Sequence, residues 1–214
     1  MFRNALMTLS VVTAGCFCAP PAPPPPPQVM ESPDAGVGAS ARGNLRFKGP
    51  ERLVNDVAAA LELRADQVCT ELGQYQCAGQ VHNVALGGVD PYGPGLYEPS
   101  GITAVTTPLV VDRIALSACA RRVDADLATP QTAVVFRGVP LNGKKLANAD
   151  GAELPAVIGE LTRRVLLREP YDREVSRYVQ LAKELDASTE AEPARAWMQA
   201  VCFAVVSSTE SVFY

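Results

Sequence analysis

Gly49-Pro50-Glu51-Arg52-Leu53-Val54-Asn55-Asp56-Val57-Ala58-Ala59-Ala60-Leu61 decides the fold class. Leu53, Val57 and Leu61 recur every four residues, and Val54, Ala58 and Ala60 widen the same stripe. That is the spacing of an amphipathic helix with one face turned to a core. Phe47-Lys48-Gly49-Pro50 marks its start, with Gly49 as cap and Pro50 in the first turn, where a missing backbone N–H costs nothing. The helix is expected to reach about Leu63, and a shorter one is expected from Ala65 to Leu72, stopping at Gly73.

The same periodicity continues downstream. Thr107-Pro108 reads as N-cap and first helical residue, and Leu109, Val110, Ile114, Ala118 and Cys119 carry that helix to about Leu127. Thr132 to Phe136 is β-branched and aromatic, so a short strand is expected there, before Pro140-Leu141-Asn142-Gly143 turns the chain. Val157, Ile158, Leu161, Val165 and Leu166 mark a helix over Leu154 to Leu167. Two more are expected from about Tyr171 to Leu185 and from about Pro193 to Val206. The reading is a mainly α fold: one disulfide-stapled helical domain over residues 44–214, with at most one or two short strands and a long Gly/Pro-rich loop. At about 170 residues, with 48% of the whole chain apolar, such a domain can bury a sizeable core.

The loop lies between Leu86 and Thr107 and is densest in turn formers over residues 87–101. Connections of that length in compact domains often carry function. Asp90, Tyr92, Tyr97 and Glu98 within it, together with the lone histidine His82 just before it, are the candidate binding residues. A solitary histidine is ordinarily a hydrogen-bonded structural residue, so the competing expectation is an irregular segment packed over helices.

Cysteine usage adds a constraint. Cys69, Cys77, Cys119 and Cys202 form an even set in the domain, which allows three pairings. Cys69 with Cys77 is the local choice, leaving Cys119 with Cys202 to staple two helices far apart in sequence, a closure of the order of 4 kcal/mol on the chain-entropy model. The four lack a Cys-x-x-Cys pair and have one histidine to help them, which argues against a metal site. Disulfides on this scale suit an exported protein.

Upstream of the domain, Ala19 to Ser40 contains Pro20-Pro21-Ala22-Pro23-Pro24-Pro25-Pro26-Pro27. That run favours extended polyproline II, roughly 25 Å of semi-rigid spacer. Before it, Arg3 supplies a positive charge and Ala5 to Ala14 an apolar run too short to span a bilayer. The run ends Thr13-Ala14-Gly15-Cys16. This segment resembles the signal peptide and acylation site of bacterial lipoproteins, although Thr13 stands where an aliphatic residue is usual. The resemblance implies a signal over residues 1–15, an acyl (palmitate) anchor on Cys16, a tether over 16–43, and a protein held to membrane lipid at the cell envelope, facing the periplasm or exterior.

The final third carries a second resemblance. Leu161-Thr162-Arg163-Arg164-Val165-Leu166-Leu167-Arg168-Glu169-Pro170 ends one helix and leads into the next, and Ser207-Ser208-Thr209-Glu210 follows Trp197, Cys202 and Phe203 near the terminus. Residues 152–214 resemble the C-terminal helical module of exported, cytochrome-associated domains of unknown function in planctomycetes and myxobacteria. Leu167, Tyr171 and Ser211 depart from that pattern. The resemblance implies an exported helical module and supplies no catalytic residues. Physically, Pro170 would fix a helix start, Glu169 would sit favourably near it, and Arg164 or Arg168 could pair with Glu210.

Catalytic and cofactor motifs are missing. The sequence has no Gly-x-Ser-x-Gly elbow, glycine-rich phosphate loop or paired-histidine metal motif. Cys77 and His82 lack the Cys-x-x-Cys-His spacing of covalent haem, so no cofactor is expected. Asp112, Asp124 and Asp126 beside Arg113, Arg121 and Arg122 read as a solvated helix face. A formal charge of −4 with no basic cluster argues against nucleic acid as partner. The functional expectation is a membrane-tethered interaction or scaffold lipoprotein, with another envelope protein as its partner. The alternative is a small-ligand binding protein using the 87–101 loop, and an enzyme without a sequence signature comes last.

Overall fold

Helices α1 (Gly49–Ala60), α2 (Ala65–Val68), α3 (Thr107–Ala128), α4 (Glu153–Leu166), α5 (Asp172–Ala187), α6 (Pro193–Val206) and α7 (Thr209–Val212) build the domain. The computed structural model describes residues 45–89 and 104–214. Cys16, the 1–15 signal and 16–43 tether segments, and Asp90, Tyr92, Tyr97 and Glu98 lie outside the described residues. The fold is mainly α, and Asn44–Tyr214 is one compact unit.

Helix α6 is the hub, packed by α3, α4 and α5. Its sequence is apolar on nearly every face, which suits a helix surrounded by others. Trp197, Met198, Val201, Cys202, Val205 and Val206 are all buried. The Trp197 indole N–H donates to the Tyr178 carbonyl on α5 at 2.8 Å, so burying the ring strands no donor. Small residues on α3, Ala115 and Ala118, are buried beside Cys119 and let α6 approach closely. Leu53, Val54, Val57 and Ala58 of α1 and Leu154, Val157, Ile158 and Leu161 of α4 complete the core. Both disulfides form as the spacing suggested: Cys69 with Cys77, and Cys119 on α3 with Cys202 on α6.

Several local expectations give way to tertiary context. Lys48, not Gly49, caps α1, and Gly49 opens the helix at φ 74°, a conformation that favours glycine. Helix α2 stops at Val68, because Cys69 is already extended and its bond to Cys77 turns the chain into a hairpin of β1 (Thr70–Glu71) and β2 (Tyr75–Gln76). A second hairpin, β3 (Leu141–Asn142) with β4 (Lys145–Leu146), turns through Gly143 at φ 64°. It docks on the last helices, with Leu146 N–H donating to Asp186 Oδ1 and Ala194 N–H to the Lys144 carbonyl, both at 3.1 Å.

Thr132–Phe136 forms no strand. Its polar backbone is satisfied by a carboxylate instead. The N–H groups of Val134, Val135 and Phe136 all donate to Asp126, at 3.0, 3.0 and 2.9 Å. Asp126 also pairs with Arg122 Nη2 at 2.7 Å, with side chains 1% and 9% exposed. Arg122 Nη1 in turn donates to the Leu61 carbonyl at the end of α1. The expected solvated face of α3 is therefore divided. Arg122 and Asp126 are buried and join three segments, whereas Asp124 pairs with Arg195 on α6 and Arg121 donates to Thr70.

The two ends of the domain are clasped. Arg46 and Tyr214 exchange N–H to carbonyl bonds at 3.0 Å, Lys48 N–H donates to the Val212 carbonyl at 3.1 Å, and the Phe47 and Phe213 rings meet edge-on at 5.9 Å. The first described residues therefore lie beside residues 212–214.

Candidate functional site

His82 closes a single π-helical turn, Cys77–Val81, that begins at a disulfide cysteine. The wide turn is held by His82 N–H donating to the Cys77 carbonyl at 2.8 Å. Because Cys69 is bonded to Cys77, the hairpin between them folds back and sets Glu71 against the imidazole. Glu71 Oε1 lies 2.6 Å from His82 Nε2, and both side chains are about one-fifth exposed. Arg113 Nε on α3 lies 3.3 Å from the same oxygen. A carboxylate between a guanidinium and an imidazole fixes the orientation of both and gives His82 a partner for a ring proton.

The sequence identified His82 but neither of its partners. Glu71 was findable through the cysteines, since a hairpin closed by Cys69–Cys77 keeps the residues beside each cysteine near the Cys77–His82 turn. Arg113 arrives on a distant helix and left no local signal. Of the candidate binding residues, His82 alone lies among the described ones, and the structure brings it to Glu71 and Arg113. The described chain leaves this cluster at Val89, whose carbonyl accepts from Asn83 Nδ2 at 2.7 Å. It returns at Ala104, whose N–H donates to Thr107 Oγ1 at 2.8 Å, while that hydroxyl donates to the Ala85 carbonyl. Val89 and Ala104, the described residues on either side of 90–103, are thus both tied to the Asn83–Ala85 turn that follows His82. Among the described residues, no group of three or more His, Cys, Asp or Glu side chains could hold a metal ion.

The second charged constellation is the Arg168 clasp. Leu167 follows α4 at φ 56°, reversing the chain and aiming Arg168 at the start of α5. Arg168 binds Glu174 through two nitrogens, each at 2.9 Å, and reaches Glu210 at 2.7 Å. Its guanidinium stacks over the Tyr171 ring at 4.4 Å. Of the two arginines that the sequence offered to Glu210, Arg168 takes the role, and Arg164 bonds Glu62 and Glu160. Helix α5 begins at Asp172 with Tyr171 as cap, so Pro170 lies just before the helix, and Glu169 binds Arg163 at 2.9 Å. The arrangement is a brace for α4, α5 and α7.

The Arg168 guanidinium holds the Glu174 carboxyl below its ordinary value of 4.5. Because the folded value is depressed, this stabilisation is complete above that pH and is lost as pH falls through the folded value. Replacing Arg168 with Gln should cost about 1–2 kcal/mol at neutral pH, most of it from Glu174, since Glu210 is half exposed. It should also flatten the acid limb of the stability curve below pH 4.5. Urea melts of both proteins across that range check this, and parallel acid limbs would refute it.

No protein-family model, curated protein or solved structure matches this chain.

Proposed function

We propose that the chain is an exported lipoprotein, anchored through acylated Cys16 at the cell envelope, with residues 44–214 presented on a proline tether as an interaction module. The observation that carries this reading is the order of parts. A short apolar run ends Ala14-Gly15-Cys16, polyproline follows at once, and the domain beyond holds two disulfides. No helix among the described residues is long and apolar enough to cross a membrane, which leaves attachment to the N-terminal segment. Residues 152–214 serve this module as architecture, braced by Arg168. A second reading, small-ligand binding beside the 87–101 loop, is favoured by the His82–Glu71–Arg113 cluster at the loop's foot.

Intact-mass and peptide analysis of the protein from its own membranes tests the first reading. The expected N-terminal residue is Cys16 bearing acyl chains, and Cys16→Ser should move the protein from the membrane to the soluble fraction. An unacylated chain beginning after Cys18 would overturn it.

A further inference from the structure

We infer that the outer face of α3 packs against the same face of a second copy of this chain, the two helices running parallel about a two-fold axis. This names a partner for the interaction module proposed above and rests on that reading. Helix α3 is the longest among the described residues, and α1, α2 and α6 cover its inner side.

The outer side of α3 carries leucines where water would favour polar residues. Leu109 and Leu116, seven residues apart, are 71% and 53% exposed, and the partly buried Ala120 extends the line. Residues seven apart return to the same helix face, which is the spacing at which two helices meet along their length. A helix with apolar residues on both sides is ordinarily covered on both.

The two flanks of that line are unlike, and each complements the other. At about 100° per residue, Asp112 and Arg113 fall on opposite sides of Leu109 and Leu116. Asp112 borders an apolar cavity of about 180 Å³ between α3 and the C-terminal residues, lined also by Pro108, Val111, Val212 and Phe213. Arg113 lies on the side of the His82 turn, where Val81 and Val84 are exposed. It meets Glu71 through Nε at 3.3 Å, yet its side chain stays 60% exposed. A two-fold axis parallel to α3 sets Leu109 against Leu109 and Leu116 against Leu116, and it brings unlike flanks together. Asp112 of each copy then faces Arg113 of the other, and Val81 and Val84 of each come toward the other's cavity. An antiparallel pair would instead bring like flanks together, arginine beside arginine. The face is complementary to itself, which selects a second copy over an unrelated partner.

The test uses residues 16–214 with Cys16→Ser and Cys18→Ser, which removes the acylation site and any crosslink through the tether. Sedimentation equilibrium should show a reversible monomer–dimer equilibrium. Leu116→Glu and Asp112→Arg should each weaken it about tenfold or more while leaving the thermal melt of the dilute monomer unchanged, a split that a purely structural role would not give. Under mild oxidation, Leu109→Cys and Leu116→Cys should each crosslink with its own kind, as a parallel pair in register requires. A chain still monomeric at about 1 mM, dimers that Leu116→Glu leaves intact, or crosslinks that form only when the two cysteine variants are mixed would each overturn the proposal. Dimerisation as expected, by a protein found unacylated in its own cells, would overturn the anchored reading and leave this face standing. A strictly monomeric chain acylated at Cys16 would do the reverse.

Discussion

Asp126→Ala should cost about 4 kcal/mol or more and is the most damaging single polar substitution expected among the described residues. The carboxylate accepts three consecutive backbone N–H bonds, from Val134, Val135 and Phe136, and pairs with Arg122. Removing it strands all of those donors in a site that water barely reaches. Breaking a buried ion pair from one side costs about 3–5 kcal/mol, because the surviving charge is left uncompensated. Orphaned backbone donors add about 1–3 kcal/mol each where they cannot relax toward solvent, and the contributions are not additive. Arg122→Met should cost less, since Asp126 keeps its three N–H donors and Arg122 Nε already lacks a partner. Asp126→Asn should fall between the two, retaining an acceptor oxygen but losing the charge. Denaturant melts followed by the fluorescence of the one tryptophan, the fully buried Trp197, give the order directly. A loss below about 1 kcal/mol for Asp126→Ala would show that the 134–136 segment is not held as described.

The same residue shows where sequence reading stops. On α3, Arg122 and Asp126 are four apart, and so spaced they look like any solvated ion pair on a helix. Only the folding-back of the apolar segment that follows the helix, 8–10 residues beyond Asp126, buries them, and nothing within α3 announces that return. Thr132–Phe136 misled for the complementary reason. Its composition asks for extended, buried backbone, which it has in part, but propensity cannot say whether the donors will find a strand or a carboxylate. Helices α1, α3 and α4 were legible because each keeps one apolar stripe over three turns or more, and α6 because its apolar run is helix-length and opens at Pro193. Helix α2 was expected from its true start at Ala65 but not to its true end, because the disulfide at Cys69 cut it short and turned the following residues into a hairpin.

Functional residues follow the same rule. His82 was visible as the sole histidine; Glu71 could have been reached only through the closed cysteine loop, and Arg113 depended on the packing of α3 against the hairpin.

Replacing both Cys119 and Cys202 with Ala should cost about 4.5 kcal/mol, against about 2.5 kcal/mol for the Cys69 and Cys77 pair. The difference follows from loop length, because the bonds close 83 and 8 residues respectively. On the chain-entropy model the longer closure removes more freedom from the unfolded chain, by about 2 kcal/mol. Position works in the same direction. Cys119 and Cys202 join α3 to the hub helix α6, so the bond ties the two elements on which the rest of the core is assembled. The other bond organises a hairpin whose loss leaves that core in place, though it should free Glu71 from His82. Both cysteines of the longer bond are fully buried, so a reductant should reach it only through global opening. Two measurements separate the bonds: denaturant midpoints of the two double variants, and the rate of thiol appearance in dithiothreitol against the rate of unfolding. The Cys119–Cys202 thiols should appear at the unfolding rate. Equal costs for the two double variants, or rapid reduction of the longer bond in the native state, would show that the α3–α6 contact is not the organising core of this fold.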